Sequence, residues 1–420
     1  MSSLLFRQVT VCDPRSSFNE QVKDILVIDG IISAIEPSIP SSNHQVIEAT
    51  GLLLMPSFVD IGTWVGEPGK EDREDFRSAT KAALAGGYSQ LVILPSTSPV
   101  TDSKASVEFI NNQNQEIDFS ALGSISKQLK GEQMAELFDM HTAGALAFCD
   151  ANKGLANEGL LLRALQYVKA FDGLIIQQPD TPALSNGGMM HEGKIHVTLG
   201  LKGIPALSES LAVKRDIELC KYAGSKLHFL NCTTKESLLE IKEAINSHLN
   251  ISAGVSSLHL LLTDDSLSEF DSNFKIVPPL RDNDTVLALK KAVLDGTISL
   301  IISNHIPRTI EEKAVEFAYA SSGSINLETC FSALLTAFDN QISNDRIVEL
   351  LSINPRKLLG LNLNSIDIGQ KAELTLIDRH QTYLLTQNDI KSKSKNSALL
   401  GKQLQGKVKG VFTKNVWHQN

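Results

Sequence analysis

The chain has 420 residues, of which 42% are hydrophobic and 21% are charged, and its net charge is −9. A chain of this length predicts one large domain with a smaller one, because single cores rarely grow beyond about 250–300 residues. The acidic balance argues against a nucleic-acid surface, and the absence of a long uninterrupted apolar run argues against a membrane span. Five scattered cysteines without a CxxC pair predict a reducing, cytoplasmic location.

Both ends of the chain carry strand patterns. Near the start, two apolar runs flank Asp29-Gly30, which is a hairpin signal. Near the end, ELTLIDR and GKVKGVFT give matching signals. We therefore predict that residues 1–50 plus 362–420 form a small composite β-sandwich domain.

Residues 51–361 alternate between strand and helix patterns, and two stretches in the last part, 327–338 and 344–361, predict further helices. Eight such strands predict a closed (β/α)8 TIM barrel, whose active site would lie at the C-terminal ends of the strands. A doubly wound sheet would require a Gly-rich phosphate loop after its first strand, and the sequence has none there. The strands are expected near 52–60, 88–94, 118–126, 143–149, 173–177, 226–231, 250–256 and 298–304.

The stretch MPSFVDIGTWVGEPG, residues 55–69, resembles the first barrel strand of dihydroorotases in the amidohydrolase superfamily. Members of that branch typically read P-G-F-I-D-x-H-x-H-L-R-E-P-G, with two zinc-ligating histidines and a substrate-contacting arginine. The resemblance covers nearly the whole chain and implies an amidohydrolase-type barrel. Gly62 and Trp64 occupy the two histidine positions, and Gly66 occupies the arginine position. Neither Gly62 nor Trp64 can ligate a cation, because glycine has no side chain and indole nitrogen only donates.

The other strand ends depart from the family pattern in the same way. Gln177 and Asn231 stand where the resemblance implies ligating histidines, and Asn304 stands where it implies the catalytic aspartate. Asp150 is the only matching metal ligand, so we predict no resident metal and no working catalytic group. Trp64 is expected to fill the space of the metal centre, and Asp150 is expected to be held by Asn or Gln side chains. A residual pocket is predicted from Ser96, Asp150, His259, Arg281 and His305. His228 and His259 fall in apolar strand patterns and are expected to be core histidines.

Three functions remain open on these residues. The first is a dihydroorotase-like protein of pyrimidine biosynthesis that lacks hydrolysis and acts as a non-catalytic partner of aspartate transcarbamoylase, or as a homo-oligomer. The second is an active cyclic amidohydrolase for dihydroorotate, a hydantoin or allantoin, with zinc in a rebuilt site. The third is a ligand-binding sensor that uses Gln177, Asn231, Arg281 and Asn304. No nucleic-acid or membrane partner is predicted under any of them.

Overall fold

The computed structural model of the protein describes residues 3–339 and 341–420. The predicted hairpin is present, and its two turn residues, Asp29 and Gly30, have φ of 46° and 80°. Positive φ at both positions is what a two-residue hairpin turn requires. The first strands are β1 (Ser3–Val11), β2 (Val22–Ile28), β3 (Ile31–Glu36), β4 (Gln45–Glu48) and β5 (Leu53–Pro56).

Ten further strands follow, and eight of them form one parallel sheet, so the predicted barrel is confirmed. The other two, β11 and β12, pair only with each other. The ten are β6 (Phe58–Thr63), β7 (Tyr88–Ile93), β8 (Asp118–Gly123), β9 (Ala147–Phe148), β10 (Ile175–Gln177), β11 (Met190–His191), β12 (Gly203–Ile204), β13 (Leu227–Phe229), β14 (Ile251–Ser256) and β15 (Leu300–Ile302).

Helices connect these strands and continue beyond the last one. Their ends follow ordinary capping rules: Asp75 accepts a hydrogen bond from the Ser78 amide at the start of the first helix, and Gly224 ends the longest with φ of 60°. They are α1 (Phe76–Gly86), α2 (Lys104–Asn111), α3 (Leu137–Thr142), α4 (Glu158–Val168), α5 (Pro182–Ser185), α6 (Lys194–Leu199), α7 (Leu207–Ala223), α8 (Lys235–Asn246), α9 (Ser257–Leu261), α10 (Asn283–Asp295), α11 (Ile310–Lys313), α12 (Cys330–Ala337), α13 (Asn344–Val348) and α14 (Asn354–Leu359).

The chain then returns to the sheet of the N-terminal strands through β16 (Leu374–Leu384), β17 (Gln403–Thr413) and β18 (Val416–Gln419). Strand β16 pairs antiparallel with β5, which joins both chain ends in one mostly antiparallel sheet of eight strands. The connection between β16 and β17 leaves this sheet and packs on the barrel. Among the described residues, no helix combines the length and the apolar content that a membrane crossing requires.

Two predicted positions differ in the structure. The strand expected at 52–60 is two strands, because β5 pairs with β1 and β16 in the terminal sheet before the chain enters the barrel at Phe58. An uninterrupted apolar run does not reveal where one buried strand stops and the next begins. The division of the chain at residue 50 stays a prediction. His259, expected in a strand, lies on the short helix α9.

Candidate site at the barrel mouth

Apolar side chains from several barrel strands form one buried cluster that includes Trp64. Trp64 is 6% exposed and packs in one cluster with Ile61 and Leu230. The Arg73 guanidinium lies 5.3 Å from the centroid of the Trp64 ring. Trp64 is therefore buried beside the barrel mouth, and its filling of the space of a metal centre stays a prediction.

Gly62 lies in a backbone conformation and a packing environment that favour glycine. Its φ is 85°, a left-handed conformation that side chains rarely adopt. A Cβ atom there would lie 3.0 Å from Cδ2 of Leu230, which is tighter than ordinary van der Waals contact. The local backbone and the side chain of Leu230 are both fitted to a glycine.

Asp150, the retained metal-ligand position, is bound by the protein itself. Its carboxylate accepts hydrogen bonds from the Ile125 amide at 3.0 Å, from the Ser126 amide at 2.9 Å and from the Ser126 hydroxyl. Asn and Gln, the expected partners, do not appear among these bonds, so that expectation was wrong. Burial raises the pKa of Asp150, and these donors oppose the shift. Asp150 ties the loops after β8 and β9 together.

The three amide side chains at the strand ends have few partners. Oε1 of Gln177 accepts from the Leu155 amide at 3.4 Å, and Oδ1 of Asn231 accepts from the Ser256 amide at 3.0 Å. Nε2 of Gln177 and Nδ2 of Asn231 are buried without a partner. Asn304 donates from Nδ2 to the Val277 carbonyl at 3.0 Å. None of the three presents a carboxylate or imidazole for proton transfer or metal ligation.

His305 is fully buried, and its contacts are structural. Its Nδ1 accepts from the amides of Asn326 and Leu327 at 3.2 and 3.3 Å, so the ring proton is on Nε2, which faces Glu74 at 3.4 Å. Glu74 in turn accepts hydrogen bonds from the Ser392 hydroxyl and the Lys393 amide. His305 and Glu74 thereby hold the β16–β17 connection against the barrel.

Arg281 is also committed to contacts within the protein. It is 2% exposed and donates to Thr233 Oγ1 at 3.0 Å and to Glu209 at 3.3 Å, and it contacts His191 at 3.3 Å. Glu209 also accepts from the backbone amides of Thr233 and Thr234. The sequence did not single out Glu209. It lies in the first turn of α7, far from any matched motif.

The two histidines expected in the core are buried and neutral. His259 donates from Nε2 to the Pro278 carbonyl, at a separation of 2.9 Å, and burial lowers its pKa to about 4. His228 contacts the Ser252 hydroxyl through Nδ1 at 2.8 Å, and burial lowers its pKa to about 3. Each ring has a second nitrogen without a partner.

A cavity of about 350 Å³, which we call the mouth cavity, opens beside Trp64 at the C-terminal ends of the strands. Of the predicted pocket residues, Ser96 and Asp150 line it, whereas His259, Arg281 and His305 are not among its lining residues. Four cations line it that the residual-pocket prediction did not include. All four lie five to ten residues beyond the ends of barrel strands, in loops whose convergence the linear sequence does not reveal: Lys70, Arg73, Lys153 and Arg308.

A zinc ion does not fit these side chains. Zinc sites use three or four nitrogen, sulfur or oxygen ligands. The described residues contain no group of three or more His, Cys, Asp or Glu side chains placed to hold a metal ion. Asp150 is already occupied by backbone and serine donors, and cations surround the nearest open space.

The barrel, with a β layer from both chain ends, defines an amidohydrolase-type protein. The family model described as "Dihydro-orotase-like" matches residues 51–237, and that described as "Amidohydrolase family" matches residues 185–416. The dihydroorotase of Acetivibrio thermocellus is 35% identical over 410 residues, 96% of each chain. The dihydroorotase of Caldicellulosiruptor saccharolyticus is 37% identical over 406 residues, 94% of each. The chain belongs to the dihydroorotase-like family of amidohydrolases.

Solved structures agree with this architecture. The L-hydantoinase (dihydropyrimidinase) of Arthrobacter aurescens superimposes with a TM-score of 0.87 at 21% identity, over 99% of this chain and 96% of that one. The dihydropyrimidinase of Brevibacillus agri gives 0.83 at 21% identity, over 99% and 94%. At such identity these structures establish the fold. Members of the amidohydrolase family are typically metal-dependent. Family membership therefore favours a metal site, whereas the side chains described at this mouth do not provide one.

Proposed function

We propose that this chain is a dihydroorotase homologue that has lost metal-dependent hydrolysis and serves pyrimidine biosynthesis as a non-catalytic partner of aspartate transcarbamoylase in the cytoplasm. The observation that supports the loss of hydrolysis is the packing at positions 62 and 64. Trp64 is buried in an apolar cluster with Leu230, and Leu230 packs closely against Gly62. A metal-bound water has a pKa near 7 rather than about 15.7, so a barrel without the ligands forfeits its nucleophile. Asn304, in the place of the catalytic base, would lower the rate by a further factor of about 10²–10⁴.

The partner role is supported by the family resemblance and by an apolar outer face. Neighbouring helices α7, α8 and α10 expose large apolar side chains to solvent, and we call this set the outer apolar face. Exposed apolar side chains that lie together are typical of protein–protein contacts. A homo-oligomer would use the same face. Its members are Leu211, Tyr222, Leu239, Leu287 and Leu294.

The assembly is tested by mixing the purified chain with aspartate transcarbamoylase from the same organism and measuring mass by light scattering during size-exclusion chromatography. We expect a complex heavier than either protein alone. Leu239→Glu should reduce its amount, because the substitution places a charge on a side chain that is 70% exposed and expected to be buried by the partner.

Lys81→Glu is the control, since it places the same glutamate on an exposed residue of α1, a helix that is not part of the outer apolar face. It should leave the complex unchanged. Separate elution of the two wild-type proteins at every concentration would contradict the partner role, and a heavier species formed by this chain alone would replace it with self-association.

The second candidate is an active cyclic amidohydrolase with a rebuilt metal site. Identity of 35–37% to proteins named dihydroorotase over nearly the full length favours it. It requires ligands that the described residues do not bring together, and we therefore place it second.

A further inference from the structure

The mouth cavity has a strong excess of positive charge. Lys70, Arg73, Lys153 and Arg308 line it, and Asp150 is the only carboxylate among its lining residues. Glu312 forms ion pairs with both arginines and is the second acidic group at the site. The surplus is therefore two positive charges, in a chain whose net charge is −9. We propose that this cavity binds a small dianion of the phosphate type, either free phosphate or the phosphate group of a small ester.

The two guanidinium groups are held in place before any ligand arrives. Glu312 accepts from Arg73 at 2.6 Å and from Arg308 at 3.2 Å, and Arg308 also donates from Nε to the Ser322 carbonyl at 2.9 Å. Arg73 is further fixed against the ring of Trp64. Because these forks are already oriented, binding an oxyanion would immobilise little additional side chain.

The two lysines lack acceptors of their own. No hydrogen bond of the Lys70 or Lys153 ammonium group exists among the described residues, although both side chains line the mouth cavity. Burial raises the pKa of Asp150 and the charge of Lys153 opposes that shift, so the two charges interact at the cavity that both residues line. A dianion between these groups and the arginines would be attracted by all four cations.

Buried polar atoms at the same cavity also lack partners. The Ser96 hydroxyl and Oδ1 of Asn152 are shielded from solvent, and neither has a hydrogen bond within the described residues. Leaving a buried polar group unpaired costs about 1–3 kcal/mol. A ligand oxygen would give the Ser96 hydroxyl an acceptor, and an Asn152 amide turned by half a rotation would present its donor.

The arrangement suits a tetrahedral oxyanion better than a carboxylate. The cations come from three loops, after β6, β9 and β15, and so approach the cavity from different sides. Phosphate presents several acceptor oxygens in different directions, whereas a carboxylate presents two in one plane. A neighbouring cavity of about 780 Å³ shares Asp150, Asn152 and Lys153 and leaves room for the organic part of an ester.

Isothermal titration calorimetry of the full chain, at constant ionic strength, tests the site with three probes. They are inorganic phosphate, ribose 5-phosphate as a phosphate monoester, and succinate as a dicarboxylate. We expect saturable phosphate binding. Succinate should bind at least about tenfold more weakly, or not measurably. Tighter binding of ribose 5-phosphate than of phosphate would assign the site to an ester; equal or weaker binding would assign it to the free ion.

Lys153→Gln and Lys70→Gln should each weaken phosphate binding about tenfold, since each removes one charge-assisted contact. Both side chains are exposed, and neither ammonium group forms a hydrogen bond or ion pair among the described residues, so folding should be preserved. Lys291→Gln, on the remote helix α10, should bind as the wild type does. No saturable phosphate binding, unchanged binding by both cavity variants, or succinate binding as tight as phosphate would overturn the proposal. The readout is binding, so its failure would leave the proposed loss of hydrolysis and the partner role untouched.

Discussion

Replacing Glu209 with alanine is expected to lower the free energy of unfolding by about 3–5 kcal/mol, because the buried Arg281 charge would lose its partner. Glu209 is 3% exposed and Arg281 is 2% exposed. The same substitution removes the acceptor of the Thr233 and Thr234 amides. Urea denaturation followed by circular dichroism measures the change.

The control for Glu209 is a surface ion pair of similar chemistry. Glu240 accepts from Lys214 at 3.2 Å, and these side chains are 33% and 64% exposed. Pairs of this kind contribute about 0–1 kcal/mol, so Glu240→Ala should be nearly neutral. If Glu209→Ala proves as mild as Glu240→Ala, Arg281 is not held by the protein and becomes available to a ligand, as the sensor hypothesis requires.

Replacing Asp60 with alanine should cost about 2–5 kcal/mol, because Asp60 joins the first and last barrel strands. Its carboxylate accepts from the Ser303 amide at 2.7 Å, from the Ser303 hydroxyl at 2.6 Å and from Thr63. Asp60→Asn should cost much less, since its oxygen still accepts from the amide and its NH₂ group can donate to the hydroxyls. Chemical denaturation of both variants checks which of them loses more stability. Equal losses would show that the junction of the first and last barrel strands does not depend on these bonds.

Asp60 also predicts a pH dependence. Burial raises the pKa of Asp60 above its ordinary value of 3.8, so the folded state binds this proton more tightly than the unfolded state does. The contribution of Asp60 to stability is then largest in acid and declines as the pH rises from 3.8 through the folded-state pKa. Measured against Asp60→Asn, the wild type should lose stability over that interval. A relative gain with rising pH would contradict the sign.

Local patterns in the sequence predicted the barrel, and they motivated the hypothesis that the metal site is lost. Alternation of strand and helix located barrel strands two to eight, and the motif around Asp60 placed Gly62 and Trp64 where the family resemblance implies ligands. Both signals lie within short stretches of chain. Both can therefore be recognised without any knowledge of tertiary contacts.

Contacts between distant parts of the chain account for the rest. The packing of Leu230 against Gly62 joins residues far apart in sequence, as does the pairing of Glu209 with Arg281. Asp150 accepts from Ser126 rather than from an amide side chain, because the loop after β8 lies directly above it. The cations of the mouth cavity converge only when the barrel closes, so their shared surroundings could not be seen in the linear sequence.

The most direct test of this account is the zinc content of the purified wild-type chain, produced in zinc-supplemented medium and dialysed, with turnover of dihydroorotate and carbamoyl aspartate measured on the same sample. The Acetivibrio thermocellus dihydroorotase serves as the positive control. The account predicts zinc at background, equal in the wild type and in Asp150→Ala, and no conversion of either compound. Stoichiometric zinc that disappears in Asp150→Ala, together with turnover, would contradict it.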